Sequence, residues 1–140
     1  MADVSITVTA VKRTSTTQEE PGTLGEAAIT QGMILYKASN GKWLIADTET
    51  SATTAAAGGM ALGAGGTDQR IQIATGGDVT VDNLSISAAA AAGVYVLSAA
   101  GAIAPSGDIA EDDFITIIGA ATSATNIKLN FTVTGVQATA

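Results

Sequence analysis

Hydrophobic and polar residues alternate along much of this chain with a period of two, the spacing of a β-strand with one buried face. In the first stretch Val4, Ile6 and Val8 fall on one side, and Ser5, Thr7 and Thr9 on the other. Near the far end, NIKLNFTVT (126–134) turns Ile127, Leu129, Phe131 and Val133 inward and its polar set outward. FITIIGA (114–120) is apolar on both faces, as a central buried strand would be. MILYK (33–37) and KWLIA (42–46) are two further β-rich runs. Asn40-Gly41 lies between them, and both residues tolerate the positive φ of a two-residue type I′ hairpin turn. Short strands are also expected at 60–62, 70–75 and 79–81, punctuated by glycine pairs at 58–59, 65–66 and 76–77.

Two segments break the period. KRTSTTQEEPGTL (12–24) is polar, carries Pro21-Gly22 and reads as a loop or an extended arm. In DTETSATTAAAG (47–58), Asp47 or Thr48 could cap a helix and Gly58 could stop it. The segment is short and threonine-rich, so a loop fits nearly as well. The pattern as a whole predicts an all-β fold, a compact barrel- or sandwich-like domain of short antiparallel strands with at most one short helix. Residues 1–25 make an N-terminal strand and a loop or arm, and 26–140 the β-rich domain.

Residues 83–107 (NLSISAAAAAGVYVLSAAGAIAPSG) contain no charge, which raises the question of a membrane span. An internal comparison bears on it. ITQGMILYKASNGKWLIAD, from Ile29, aligns with AAAGVYVLSAAGAIAPSGD, from Ala90. Gly32 meets Gly93, Leu35 meets Val96, Tyr36 meets Leu97 and Gly41 meets Gly101. Acidic residues follow each (Asp47 and Glu49; Asp108 and 111–113), and then a strand that ends in Gly-Ala, at Ala64 and Ala120. This weak repeat predicts a second hairpin over 94–104, turning near Gly101. Gly93, Gly101 and Pro105 interrupt the stretch, and alanine contributes little to insertion. The five-alanine run is too short to nucleate a helix alone. Paired strands fit better than a span.

Composition narrows the chemistry. The 140 residues include no cysteine and no histidine. That excludes disulfides, thiolate nucleophiles, imidazole bases and Cys/His zinc sites. The formal net charge of −7 disfavours nucleic acid and anionic membrane surfaces as partners. Alanine is the commonest apolar residue, and the aromatics are Tyr36, Trp43, Tyr95, Phe114 and Phe131. Alanine buries little area, so contacts with other chains are expected to supply part of the stability. An acid at position 3, with the basic pair after the apolar stretch, reverses the order of a signal peptide, so synthesis in the cytoplasm is expected.

Candidate sites are few. Asp108, Glu111, Asp112 and Asp113 could offer oxygen ligands to Ca²⁺, but they lack the EF-hand spacing, and a solvated turn fits better. Asp78 and Asp82 read as turn or strand-edge residues. GAGGTD (63–68) resembles a phosphate loop but has Asp68 where the last glycine belongs and no helix after it. No carboxylate pair or Ser–Lys arrangement stands out, so no enzyme, cofactor or metal site is expected. Asn83-Leu84-Ser85 and Asn130-Phe131-Thr132 match the glycosylation pattern by chance. Trp43 is equally an interface anchor or a partly buried core residue. Lys12, Arg13, Glu19 and Glu20 belong either to a solvated loop or to an arm that adds a strand or ion pairs to a neighbouring chain.

Three segments together carry a family likeness: GTLGEAAITQGMILYKASNGKWLIAD, GGDVTVDNLSISAAAAAGVYVLSAAGAIAPSGDI and FITIIGAATSATNIKLNFTVTGV. With them the chain resembles a family of small bacteriophage head proteins, the capsid cement or decoration proteins. GVYVLSAAGAIAP and IIGAATSATNIKL are the most telling pieces. Residues 12–24 extend beyond the family's usual N-terminal loop. The resemblance implies a compact β-rich protein on the outer surface of an icosahedral head, part of the virion. Its implied partners are the major capsid protein and itself, as a homotrimer at local three-fold positions that bridges capsomers. Other classes are a host-surface or glycan-binding head-fibre module, and a tail or connector structural protein. A glycan-binding module would need an exposed aromatic cluster, which five aromatics scarcely provide.

Overall fold

A computed structural model describes residues 11–47, 53–81, 94–97, 101, 103–105, 114–121 and 126–137. Ten strands account for most of them. They are β1 (Val11–Arg13), β2 (Gln18–Thr23), β3 (Ile34–Lys37), β4 (Trp43–Ile45), β5 (Gly59–Ala61) and β6 (Arg70–Val81), then β7 (Val94–Leu97), β8 (Ile103–Pro105), β9 (Phe114–Ala121) and β10 (Asn126–Gln137). Every pairing between them is antiparallel, and the order is β4-β3-β5-β6-β10-β9-β7-β8, with β1 and β2 added along β6. The sheet curls into a half-barrel, and the fold is all-β.

The order is the same in both halves, counted inward from each end. β3 to β6 run 4-3-5-6, and β7 to β10 run 8-7-9-10, meeting where β6 pairs β10. The registers agree as well. A shift of 60 residues carries Lys37↔Trp43 onto Leu97↔Ile103 and Leu35↔Ile45 onto Tyr95↔Pro105. It also carries Ile34↔Met60 onto Val94↔Ala120 and Leu35↔Gly59 onto Tyr95↔Gly119. The repeat is therefore structural, and it corrects the sequence alignment. Gly41 does match Gly101, but Leu35 matches Tyr95, one residue away from the expected Val96. Gly63-Ala64 follows β5, whereas Gly119-Ala120 lies inside β9.

The uncharged stretch contributes β7 and β8, a hairpin with Gly101 between its strands at φ 78. Among the described residues no helix is long and apolar enough to cross a membrane. The first hairpin differs from expectation in its turn. Gly41 has φ 83, but Asn40 is not in the positive region. Ala38 N donates to Lys42 O and Gly41 N to Ala38 O, so three residues make the loop and only the last is left-handed. Asn40 instead accepts from Lys42 N through Oδ1 at 3.0 Å.

The segment expected to be a loop or arm is two strands in its described part. β1 lies on β6 from Val11↔Val81 to Arg13↔Val79, and β2 from Gln18↔Gly76 to Thr23↔Arg70. β2 is a strand of edge chemistry. Pro21 is exposed at the outer rim, where a missing N–H is tolerated. Its buried position is Gly22, where a Cβ would come 2.6 Å from the Trp43 ring, so no side-chain alternation marks it. β6 is one strand where two were expected. Gly76-Gly77 does not end it, because Gly77 takes φ 75 and the chain continues into pairing with β10. At the described end of the segment read as helix or loop, residues 53–55 form a turn. Ala55 and Ala57 enter the core there, and buried Thr116 donates to Ala55 O.

Two apolar clusters lie on opposite faces of the β3–β5–β6 region, since adjacent Ile34 and Leu35 belong to different ones. The larger gathers Ile34, Met60, Val79, Tyr95, Ile118 and Ile127 inside the curl. The smaller packs Leu24, Ile29, Leu35 and Ile73 around Trp43. β9 is central, as its two-sided apolarity predicts, with β10 on one side and β7 on the other. β10 turns Ile127 and Leu129 inward as expected, but Val133 is 47% exposed. A register shift after Leu129, and the loss of β6 as a neighbour there, take it out of the core.

Candidate functional site

The five interaction candidates divide into two groups. Arg13, Glu19 and Glu20 sit on β1 and β2 along one flank of β6, and Lys12 lies opposite Thr80. Arg13 Nη1 meets Glu19 Oε1 at 2.7 Å, and Gln72 Nε2 donates to the same oxygen at 3.1 Å. Arg13 is more than half exposed, so this pair is screened and adds little stability. It does tie β1 to β2 across the turn between them. Glu20 faces solvent beside this pair, and its backbone pairs with Ile73.

Trp43 belongs elsewhere. It is 4% exposed, and glycines make room for it: a Cβ on Gly59 would come 3.2 Å from its ring. Lys37 Nζ lies 5.9 Å from the ring centroid, a cation–π contact at the rim of the cluster. Of the two readings of Trp43, interface anchor or core residue, this burial in the chain's own cluster favours the second. The sequence offered no way to decide, because the groups against the ring include Gly22, Gly58 and Gly59, which leave no hydrophobic signal.

Between β1 and β2 the chain turns through Thr14–Thr17, and three hydroxyls converge on Asp78 of β6. Thr14 Oγ1 donates to the Asp78 carbonyl at 3.1 Å, Thr17 Oγ1 donates to the same oxygen, and Thr16 Oγ1 donates to Asp78 Oδ2 at 3.1 Å. The approach is close because Gly77 has no side chain: a Cβ there would lie 2.1 Å from Thr16 O. Asp78 Oδ1 is buried and has no hydrogen-bond partner among the described residues. Asp78 is thus a mid-strand anchor, where a turn or strand-edge role was expected.

Asp78 also lines an open cleft of about 1000 Å³, formed where β10 parts from β6. Gln18 and Thr75 line one side, and Asn130, Phe131 and Thr132 the other. The lining is mixed, with Val94, Ile117 and Leu129 beside the polar groups and Lys128 and Asp78 as the charged members. Sequence reasoning missed the cleft, because it arises from the divergence of two strands far apart in the chain.

Gly63–Asp68 is a turn before β6, with Asp68 at φ 67 and its Oδ1 2.6 Å from Lys42 Nζ. No helix follows it, which removes the phosphate-loop geometry. Asp82, Asp108, Glu111, Asp112, Asp113 and the Asn83 glycosylation pattern lie outside the described residues. Among the described residues no three acidic side chains gather into a metal-binding group. No family model, curated protein or solved structure matches this chain.

Proposed function

We propose that this chain is a structural protein of a bacteriophage virion, bound to the outside of an icosahedral head and bridging neighbouring capsomers as a homotrimer at local three-fold positions. The observation that carries the reading is the family likeness, above all GVYVLSAAGAIAP (93–105) and IIGAATSATNIKL (117–129). These segments supply the β7–β8 hairpin, the end of β9 and the start of β10. The fold is compatible with such a role. A curled all-β sheet with a net charge of −7 presents a like-charged exterior that limits unwanted association.

The mechanism is mechanical. Packaged nucleic acid stresses the shell from within, and a trimer in contact with several capsid subunits resists their separation. Once one contact has formed, the others become intramolecular and gain from effective concentration. A stable contact of ordinary size buries roughly 800 Å² on each partner. The major capsid protein is the partner, no cofactor takes part, and no reaction is catalysed.

The test is copy number in purified virions, measured against the major shell protein by quantitative mass spectrometry. Near-equal copies are expected. A handful of copies would move the chain to the tail, the connector or sparse fibres. Absence from the particle would overturn the reading.

A further inference from the structure

The unpaired edges of this sheet are guarded unequally. The outer rim of β1 and β2 carries Arg13, Glu19, Glu20 and Pro21, all of which discourage further pairing. β4 and β8, at the two ends, are three residues each. β10 is different. Its side toward β6 is paired only from Asn126 to Leu129. Beyond that, Asn130–Gln137 (NFTVTGVQ) has no charge, no proline and no partner among the described residues on that side. Gly135, at φ 68, is its one irregularity. Val133 and Val136 are 47% and 58% exposed, the large hydrophobics left open among the described residues.

The internal repeat shows what is missing. Ala61 pairs with Ile73, and its repeat equivalent Ala121 pairs with Ile127, so β6 and β10 correspond at a shift of 54 residues. Past this point β6 continues to Val79, and β10 continues, through its register shift after Leu129, to Val133. Val79 is fully buried, with β1 along one side of it and β10 along the other. Nothing described plays the part of β1 for Val133. Among the described residues this flank of β10 is open, and it has the length for one extended antiparallel strand.

The chain's own first ten residues leave from the wrong place. They join at Val11, opposite Val81, and Asn126 pairs with Thr80 at that same end of β6. From there β10 runs away from them. Yet their sequence, with Val4, Ile6 and Val8 alternating with Ser5, Thr7 and Thr9, is that of a strand with one apolar face. We infer that residues 1–10 of a second copy add to β10 as an antiparallel strand over Asn130–Val136. The donated apolar face covers Val133 and Val136. Its hydroxyls face the cleft that Thr75, Asp78 and Asn130 line. Donor and acceptor surfaces are different parts of the chain, so copies join by reciprocal exchange into a two-fold dimer, or head-to-tail into a ring or an open chain. The contact does not depend on a place in a virion.

Complementation tests it. Deletion of residues 1–10 removes the donor, and Val133→Lys with Val136→Lys closes the acceptor edge. The expected native mass is an oligomer for the intact chain, a monomer for each variant, and a one-to-one heterodimer when the two variants are mixed. A mixture that stays monomeric, or an intact chain that is monomeric, overturns the inference. Because the chain has no cysteine, a disulfide gives a second readout. Thr132→Cys, combined in turn with Ser5→Cys, Thr7→Cys or Thr9→Cys, should cross-link between chains in at least one pairing. A cross-link within one chain, or equal cross-linking by Thr132→Cys alone, would instead mean self-filling or edge-to-edge pairing, and either overturns it.

Discussion

Alanine at Gly77 and at Gly41 imposes the same backbone strain in two different surroundings. Gly77 has φ 75 and Gly41 φ 83, and a Cβ in this left-handed region costs about 1–2 kcal/mol. At Gly41 nothing lies within 4 Å of the added atom, so that strain is the whole effect. At Gly77 the Cβ would lie 2.1 Å from Thr16 O and 3.2 Å from Gln18 N, both main-chain atoms. The Thr14–Thr17 turn must then move away, giving up the three hydroxyl bonds to Asp78. Each is worth about 0.5–1.5 kcal/mol net. Gly77→Ala is therefore expected to cost about 2.5–6.5 kcal/mol, against about 1–2 kcal/mol for Gly41→Ala. Urea unfolding followed by Trp43 fluorescence measures both, since this single tryptophan is 4% exposed and reports loss of the core. If Gly77→Ala proves no more damaging than Gly41→Ala, the close packing of the N-terminal turn on β6 does not hold.

Thr116→Val keeps shape but leaves the Ala55 carbonyl without its hydroxyl donor in the core, for an expected loss of about 1–3 kcal/mol in the same assay; no loss would mean that this bond is dispensable. Burial pushes the Tyr95 hydroxyl above its ordinary 10.0. The folded state therefore holds that proton more tightly than the unfolded state, and the associated stability is present below about pH 10 and is lost as pH rises through the folded value. Tyr95→Phe should flatten the alkaline fall of stability by up to about 1.4 kcal/mol per pH unit, measured by urea unfolding across this range. An unchanged slope would show that Tyr95 ionises as freely in the folded chain as in the unfolded one.

How much was readable in the sequence depended on which groups carry the signal. Where side chains alternate, as over 126–129, the strand and its buried face were both visible. The hairpin at Asn40-Gly41 was placed correctly but its turn was not, because Gly alone supplies the positive φ and Asn40 bonds to Lys42 N instead. β2 was hidden, since its buried position is a glycine and its remaining residues carry the charges and proline of an edge. Trp43 could not be assigned to core or surface, because the groups against its ring include glycines. Val133 has the right periodicity for burial but sits where β6 no longer accompanies β10. The cleft and the orphaned oxygen of Asp78 had no local signature at all.

The sequence by itself determined the β class, the positions of most strands, the two hairpins and the limits on chemistry set by absent cysteine and histidine. These follow from period, turn residues and composition, which are local properties. Only the tertiary structure decided that the two halves repeat at a shift of 60 residues, that the N-terminal segment lies on β6, and that β10 ends with an open flank. Those depend on which strand lies beside which. Strand pairing joins residues distant in the chain through backbone groups that every residue shares, so the order of side chains alone does not reveal it.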